Sequence, residues 1–528
     1  MINIIETLKK LNIETERENM TIFDMILIMD DLLKTDSKIK ESFLQCTNNT
    51  PEFTLLKETI LDKKYIICNI LLNNHYSNPF LDIYFILSNA YLFNEPIFDV
   101  LYNKREQINR IPKFIKFCWE KILNSGLRKF YNSFLIGKWL QTLSFKIIKE
   151  DEFYKIHPDN KNLYRKYLEI YEIFDKNVCT FRQYLFKLTD KITNINHPGC
   201  SNLSIKYYYN FVKLNTGLNI NSHRIKLLFN FGLRELKKLC SEQKEMIYKV
   251  RPDFKHIQDN KILLGTIKSD PVYKFKSQQE FIDSHSALID KLHKYFIEEK
   301  GIKEFKKPNL VYINDPNLSA AYWAYGAFYL NITNWDKANT YESLALTLHE
   351  AIPGHHTQLN YSIYSDNTDI NKLYSLFGTT NGFCEGWALF IESIYPYYTD
   401  VEHIGRLQYE ILRTLRIIVD ILMNVVGIDI KTCLDFMKQY MTTDEKIIET
   451  ELVRYVSIPG QALCYKIGCE IFRKIQQKYI KEHNIILSDK LLDGKLIDLY
   501  KQIIYNKEKS LEALLIEYNL IFEEIFTN

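Results

Sequence analysis

Glycine and proline are scarce, with 17 and 13 residues in a chain of 528. So few breakers argue against many short strands and for long helices. Cysteine occurs ten times, at 46, 68, 118, 179, 200, 240, 384, 433, 464 and 469, and never as a CxxC pair. That scatter excludes a disulfide framework and fits free thiols in a reducing compartment. No stretch approaches the ~18 uncharged apolar residues of a membrane span. The opening MINIIETLKKLNIETEREN acquires charge too early for a secretory signal, so a cytoplasmic protein is expected. Charge of one sign is also missing in bulk. Lys and Arg (68) nearly balance Asp and Glu (65), leaving +3, and no block of like charge has the length of a nucleic-acid tail. Neither nucleic acid nor a membrane is an expected partner.

Large aromatic residues are abundant, with 36 Tyr and 32 Phe, which fill the core of a chain this long. Apolar residues recur at helical spacing over 52–73, 112–124, 161–176 and 221–250, whereas 192–205 reads as a loop. A break near 264–274 precedes a change of character. PNLVYIN (308–314) and GAFYLNI (326–332) are β-branched, aromatic and bounded by turn formers, so both read as strands. The second is expected to be an exposed edge beside the cleft, ending at Asn331, where an extended peptide adds as a further strand. The expected architecture is mainly α, a large multi-helix fold with a small β element beside the helix that follows it. It divides into a helical region 1–265, which forms a cap, and a region 266–528 that holds the motifs below.

The chemistry concentrates in LALTLHEAIPGHHTQLN. Three of only 12 histidines, His349, His355 and His356, fall within eight residues and flank Glu350 on an apolar segment. The pattern is a broken form of HExxH, in which histidines one helical turn apart bind zinc and the Glu activates water. Here the one-turn position is Pro353, which has no ligand atom. His356 lies two turns from His349, roughly 10 Å along an ideal axis. A Pro-Gly distortion brings either later histidine toward His349, so spacing leaves His355 and His356 as alternatives. Downstream, GFCEGWALFIESIY offers Glu385 beside the small Gly386 as a third ligand. Glu392, seven residues on, shares that helix face and can orient a histidine from behind.

Two further groups accompany these. Arg413, Arg416 and Asp420 are helical neighbours in LQYEILRTLRIIVD, suited to an ion-pair network or to clamping a substrate carboxylate. Glu451, Arg454 and Tyr455, followed by Pro459, Gly460, Gln461 and Tyr465, crowd polar groups before a helix. Tyr455 or Tyr465 can donate to an oxyanion and Arg454 can meet a carboxylate, with Asn331, Arg413, Arg416 and Gln461 expected to bind substrate.

Together GAFYLN, LHEAIPGHHTQ, EGWALFIE, RTLRIIVD and ELVRYVSIPGQALCYKIG, in this order over 326–468, resemble the domain of unknown function 885 family, itself similar to the carboxypeptidase Taq-like helical zinc peptidases. The resemblance implies that HEAIPGH is HExxH with two residues inserted, so that His349, His355 and Glu385 hold one zinc ion. It departs at Asn424, where the family carries a histidine, which touches substrate preference. The implied function is zinc-dependent hydrolysis of short peptides, with Glu350 as general base and Glu385 as ligand. Manganese or cobalt suits the same donors. The alternatives are a weakened or inactive helical binding protein that keeps a structural metal, with His356 as a fourth ligand, and a metal-dependent amidase acting on a non-peptide substrate.

Overall fold

The computed structural model describes residues 161–189, 199–304, 306–314, 320–324, 327–333, 335–364, 381–485, 494–505 and 508–527, with scattered positions between 109 and 191. The helical segments expected at 52–73 and most of 112–124, the segment 192–198 and the body of the 1–265 cap lie outside them. Two compact units divide the chain. One takes in α1, Lys161–Thr189, whose Phe174, Phe181, Leu185 and Leu188 are buried along one side at helical spacing.

The other unit runs through Tyr208–Tyr455 and from Pro459 onward. Its helices are α2 (Ile205–Thr216, from Tyr208), α3 (Ser222–Val250), α4 (Asn260–Ser269) and α5 (Gln278–Leu292), then α6 (Ser343–Glu350) and α7 (His355–Tyr364). After these come α8 (Asn381–Ile394), α9 (Asp400–Ile421), α10 (Ile430–Met437), α11 (Glu445–Ser457) and α12 (Cys464–Glu482). The chain closes with α13 (Gly494–Tyr505), α14 (Leu511–Glu517) and α15 (Phe522–Thr527). The described structure is thus mainly helical, as the low glycine and proline content implies. Starts are encoded locally. Asn221, Ser277 and Thr399 each accept a backbone N–H from the first turn of α3, α5 and α9, and Thr399 with Glu402 forms a capping box. The break foreseen at 264–274 begins at Asp270, after α4 has ended.

Two helix pairs frame the site. α3 packs along α9 through Leu236 and Leu239 against Leu407, Ile411, Leu415 and Ile418. α8 packs along α12 so closely that glycine is required on both. A Cβ on Gly386 would lie 2.4 Å from Gly468 Cα, and one on Gly468 would lie 2.2 Å from the Gly382 carbonyl. Gly386 therefore lets α8 approach α12 at the turn that carries Glu385.

The β element is a three-stranded sheet of β1 (Asn309–Ile313), β2 (Ala321–Ala324) and β3 (Ala327–Asn331) in the order β1-β3-β2. β3 pairs in parallel with β1 and antiparallel with β2. Both strands read from the sequence are present, but β3 is the middle strand and not an edge. Its five residues are all buried, so a peptide cannot pair with it. The edge beside α6 is β2, a strand too short and alanine-rich to carry an alternating pattern.

Candidate metal centre and the cavity beside it

α6 is an apolar helix whose every residue is buried, and it delivers His349 and Glu350 at its last turn. The Ala351 N–H still bonds to the Thr347 carbonyl at 2.9 Å, after which residues 351–354 bend and α7 starts at His355. Gly354 makes the bend possible. A Cβ there would meet the His349 carbonyl oxygen at 2.0 Å and that of Leu348 at 2.2 Å, so the chain doubles back against the helix end in a way closed to any side chain. The Trp387 indole N–H pins the turn from α8 by donating to the Pro353 carbonyl at 2.9 Å. The two residues inserted between Glu350 and His355, relative to a one-turn spacing, are thereby looped out. The His355 ring stands 4.8 Å from that of His349, at 89°.

His356 faces elsewhere. Its Nδ1 accepts the Trp323 indole N–H at 3.2 Å, and its Nε2 meets the Lys306 carbonyl at 2.5 Å. Both ring nitrogens are engaged, and burial pushes its pKa down to about 4. The ambiguity left by helical spacing is resolved geometrically, because His355 joins His349 and His356 supports β2.

Glu385, from the first turns of α8, completes the group. His349, His355 and Glu385 offer donor atoms that all lie within 4.8 Å of one another. Glu385 Oε2 is 3.6 Å from His349 Nε2 and 3.3 Å from His355 Nε2, yet among the described residues it has no hydrogen-bond partner. Those separations match the roughly 3.3 Å edge of a tetrahedron built on metal–ligand bonds near 2 Å. Behind His349, the Nδ1–H donates to Glu392 Oε1 at 2.7 Å, which fixes the tautomer with Nε2 turned to the group. Burial works against charge on His349, but Glu385 and Glu392 outweigh it and hold the imidazole at about 9. Burial likewise disfavours the Glu385 anion, and the two histidines still keep it well below the usual carboxylate range. An orphaned carboxylate oxygen, two imidazole nitrogens and an oriented first histidine fit a divalent cation such as zinc.

The group opens on a cavity of about 510 Å³. Glu350 lies on its wall, with Oε2 accepting the Trp323 backbone N–H from β2 at 2.8 Å. Tyr465, at the start of α12, presents its ring to His349 at 6.3 Å and 14°. Its hydroxyl accepts from Arg454 Nη2 at 2.7 Å. Arg416 forms a two-point pair with Glu451, Nε to Oε2 at 3.0 Å and Nη2 to Oε1 at 3.1 Å. Arg416 and Arg454 hold the Glu451 carboxyl at about 2 against the effect of burial.

Most residues singled out in the sequence meet here. Glu350, Arg413, Arg416, Arg454, Tyr465 and Asn331 line the cavity with the two histidines and Glu385. Tyr455 and Gln461 do not. The Tyr455 hydroxyl donates to Glu451 at 2.8 Å, and Gln461 accepts from Arg454 at 2.7 Å, so both stand behind the arginines rather than before a substrate. The expected Arg416–Asp420 neighbour pair is also absent, since Arg416 turns to Glu451. Asp420 instead accepts the Tyr208 hydroxyl at 2.7 Å and the Gly460 N–H at 3.1 Å on each oxygen. Asn424 ties the Asp420 and Tyr455 carbonyls together and is not on the cavity wall. Sequence reasoning passed over Trp323, which no local pattern marks. It gave Glu451 no role, although its spacing of three and four from Arg454 and Tyr455 places it on their helix face.

The fold is similar to two solved structures. One is described as a "putative lipoprotein" from Colwellia psychrerythraea, with TM-score 0.74 and 15% identity over 95% of this chain and 92% of that one. The other, from Shewanella oneidensis and described as a "putative lipoprotein of unknown function", has TM-score 0.61 and 16% identity over 92% of each chain. At such identity the likeness concerns the fold alone. No curated protein sequence matches the chain. Among the described residues, no helix is long and apolar enough to cross a membrane. Residues 151–486, which include both histidines, Glu385 and the arginines around Tyr465, match the family of bacterial proteins of unknown function DUF885, and the chain belongs to that family.

Proposed function

We propose that the protein is a metal-dependent hydrolase of short peptides, with zinc as the best-suited ion at His349, His355 and Glu385. The observation that carries this reading is the convergence of three ligand-type side chains on a cavity wall with Glu350 next in sequence. His356 is turned away, so these donors leave a side facing the cavity. Three protein ligands and an open position are the pattern of catalytic zinc, whereas structural zinc takes four. A bound zinc ion would supply Lewis acidity toward a carbonyl oxygen and a water.

The chain's own groups supply the rest. Glu350 has one oxygen anchored by the Trp323 N–H, so the other is available to accept a proton from the attacking water and pass it to the leaving amine. The Tyr465 hydroxyl accepts from Arg454, which leaves its own hydrogen free to donate to a developing oxyanion. Glu392 keeps the His349 ring in place. A cavity of about 510 Å³ suits short peptides better than folded chains. β2, the sheet edge beside α6, replaces β3 as the strand along which an extended peptide could lie. The scattered free thiols favour a cytoplasmic site of action, and the lipoprotein descriptions of the two structural relatives name the competing location.

The test measures zinc and peptide cleavage together. Glu350→Gln should retain wild-type zinc and lose on the order of 10²–10⁴ in rate. Full activity in that variant would sink the assignment of Glu350, and wild-type protein that takes up no metal would sink the hydrolase reading as a whole.

A further inference from the structure

Arg413 stands apart from the other arginines of the cavity. It projects from α9 onto the cavity wall and is only 7% exposed. Burying a guanidinium is costly unless a carboxylate neutralises it, and the neighbouring arginines obey that rule. Arg416 is paired with Glu451, and Arg454 lies 3.6 Å from the same carboxylate and is bonded to Gln461 and Tyr465. Arg413 has neither. Among the described residues no acid lies within ion-pairing distance of it, its Nε has no hydrogen-bond partner, and its contacts are the faces of Tyr409 at 4.9 Å and Tyr465 at 5.7 Å. Arg416 Nη1, next along the same helix face, is likewise buried without a partner among the described residues. The Tyr465 ring that Arg413 overlies is also the ring facing His349 at 6.3 Å. A cation with unused donors and the ligand-type histidine thus flank one phenol.

We infer that Arg413, assisted by the free Nη1 of Arg416, is the receptor for the free α-carboxylate of a substrate peptide. The protein accordingly removes residues from peptide C-termini instead of cutting within chains. A guanidinium fork matches a carboxylate at two points, and a bound carboxylate supplies the charge that the chain withholds. Leu346, Leu412 and Ile447 on the same cavity wall favour an apolar terminal side chain.

This inference rests on the hydrolase reading only for the choice of a peptide, so it is tested by binding. The full-length protein, in the presence of a chelator that stops turnover, is titrated calorimetrically with an N-acetylated tripeptide ending in leucine and with its C-terminal amide. The carboxylate form should bind roughly tenfold or more tightly than the amide, a preference of the size a charge-assisted pair confers. Arg413→Gln should bring the ratio to within about threefold while leaving amide binding unchanged, and Arg413→Lys, which keeps the charge but not the fork, should fall between. A wild-type ratio near one, a ratio untouched by Arg413→Gln, or no binding of either peptide would overturn the inference. Should Arg413→Gln fail to fold, the wild-type ratio and the lysine variant decide it. If discrimination is intact but the zinc-loaded protein cleaves neither peptide, the hydrolase reading fails and the carboxylate site stands.

Discussion

Two clusters in the same unit each gather three metal-ligand side chains with donor atoms within 4.8 Å, His349–His355–Glu385 and Glu235–Glu410–Glu470. They differ in where the opposing charge comes from. In the second, Lys466, fully buried on α12, reaches Glu235 at 3.1 Å, Glu410 at 2.6 Å and Glu470 at 2.8 Å. Arg473 meets Glu410 at 2.6 Å and Glu470 at 2.7 Å, and Arg406 meets Glu410 at 2.6 Å. Burial would raise the Glu410 carboxyl, yet Arg473, Lys466 and Arg406 hold it well below the ordinary range. Around the first cluster no lysine or arginine among the described residues pairs with Glu385, whose near neighbours are imidazoles, and one oxygen has no hydrogen-bond partner among them. The contrast teaches that a knot of buried acids is a candidate metal site only where no lysine or arginine already neutralises it.

The comparison breaks most visibly if its cations are removed. Lys466→Met should destabilise the protein by roughly 3–5 kcal/mol, because it leaves buried carboxylates short of a counter-charge. The loss would be read as a fall in Tm that is the same with and without chelator. A chelator-dependent fall would mean that a metal shares this second cluster and that the contrast is false.

The converse loss belongs to the first cluster. Zinc at about a thousand times its Kd should stabilise wild-type protein by roughly 4 kcal/mol. A His349→Ala, Glu385→Ala double variant should lose that gain together with bound zinc. Glu235→Gln should leave both intact. Zinc uptake equal in wild type and the double variant would remove the centre altogether.

A finer prediction concerns Glu392, which is 1% exposed and orients His349 without joining the ligand group. Glu392→Gln should weaken zinc binding about 10–100-fold while keeping the stoichiometry at one. An unchanged affinity in a competitive chelator titration would demote Glu392 to packing.

How far these clusters were legible in the sequence follows from the range of each interaction. His349, Glu350 and Glu385 stand in local patterns on α6 and α8, and Glu385 was marked by Gly386, whose need for close approach to α12 is real. The choice between His355 and His356 was not legible from helical geometry, because α6 stops and Gly354 folds back on its carbonyls. Periodicity paired Arg416 with Asp420, four residues on, whereas the partner is Glu451 on α11. Helical spacing names neighbours on one helix and is blind to a better partner on another. The strand GAFYLNI was read correctly, but its place in the sheet depended on β2, where AYWA gives no alternation to detect. The ions of the second cluster come from α3, α9 and α12, and no local motif contains them.

Asp420 sharpens the contrast from a third side, through an effect spread over several pH units. It is a buried acid whose donors are neutral, the Tyr208 hydroxyl and the Gly460 N–H with the Asn424 amide beside them. Burial raises its pKa to about 7, and those donors only partly oppose the rise. The folded value thus lies above the ordinary aspartate value of 3.8, so between about pH 4 and 7 the native chain binds a proton that the unfolded chain has released. Stability contributed by this group should fall as pH rises through that window, by no more than about 1.4 kcal/mol per pH unit. Glu410, held low by its cations, should act in the opposite sense, with its contribution present above its unfolded pKa and lost as pH falls. Asp420→Asn should therefore flatten the decline in Tm from pH 4 to 7 without altering the loss below pH 4. Identical profiles for wild type and variant would mean that the Tyr208 and Gly460 donors satisfy an ionised Asp420 as fully as water does, and neutral donors would then rank with lysine and arginine in stabilising a buried acid.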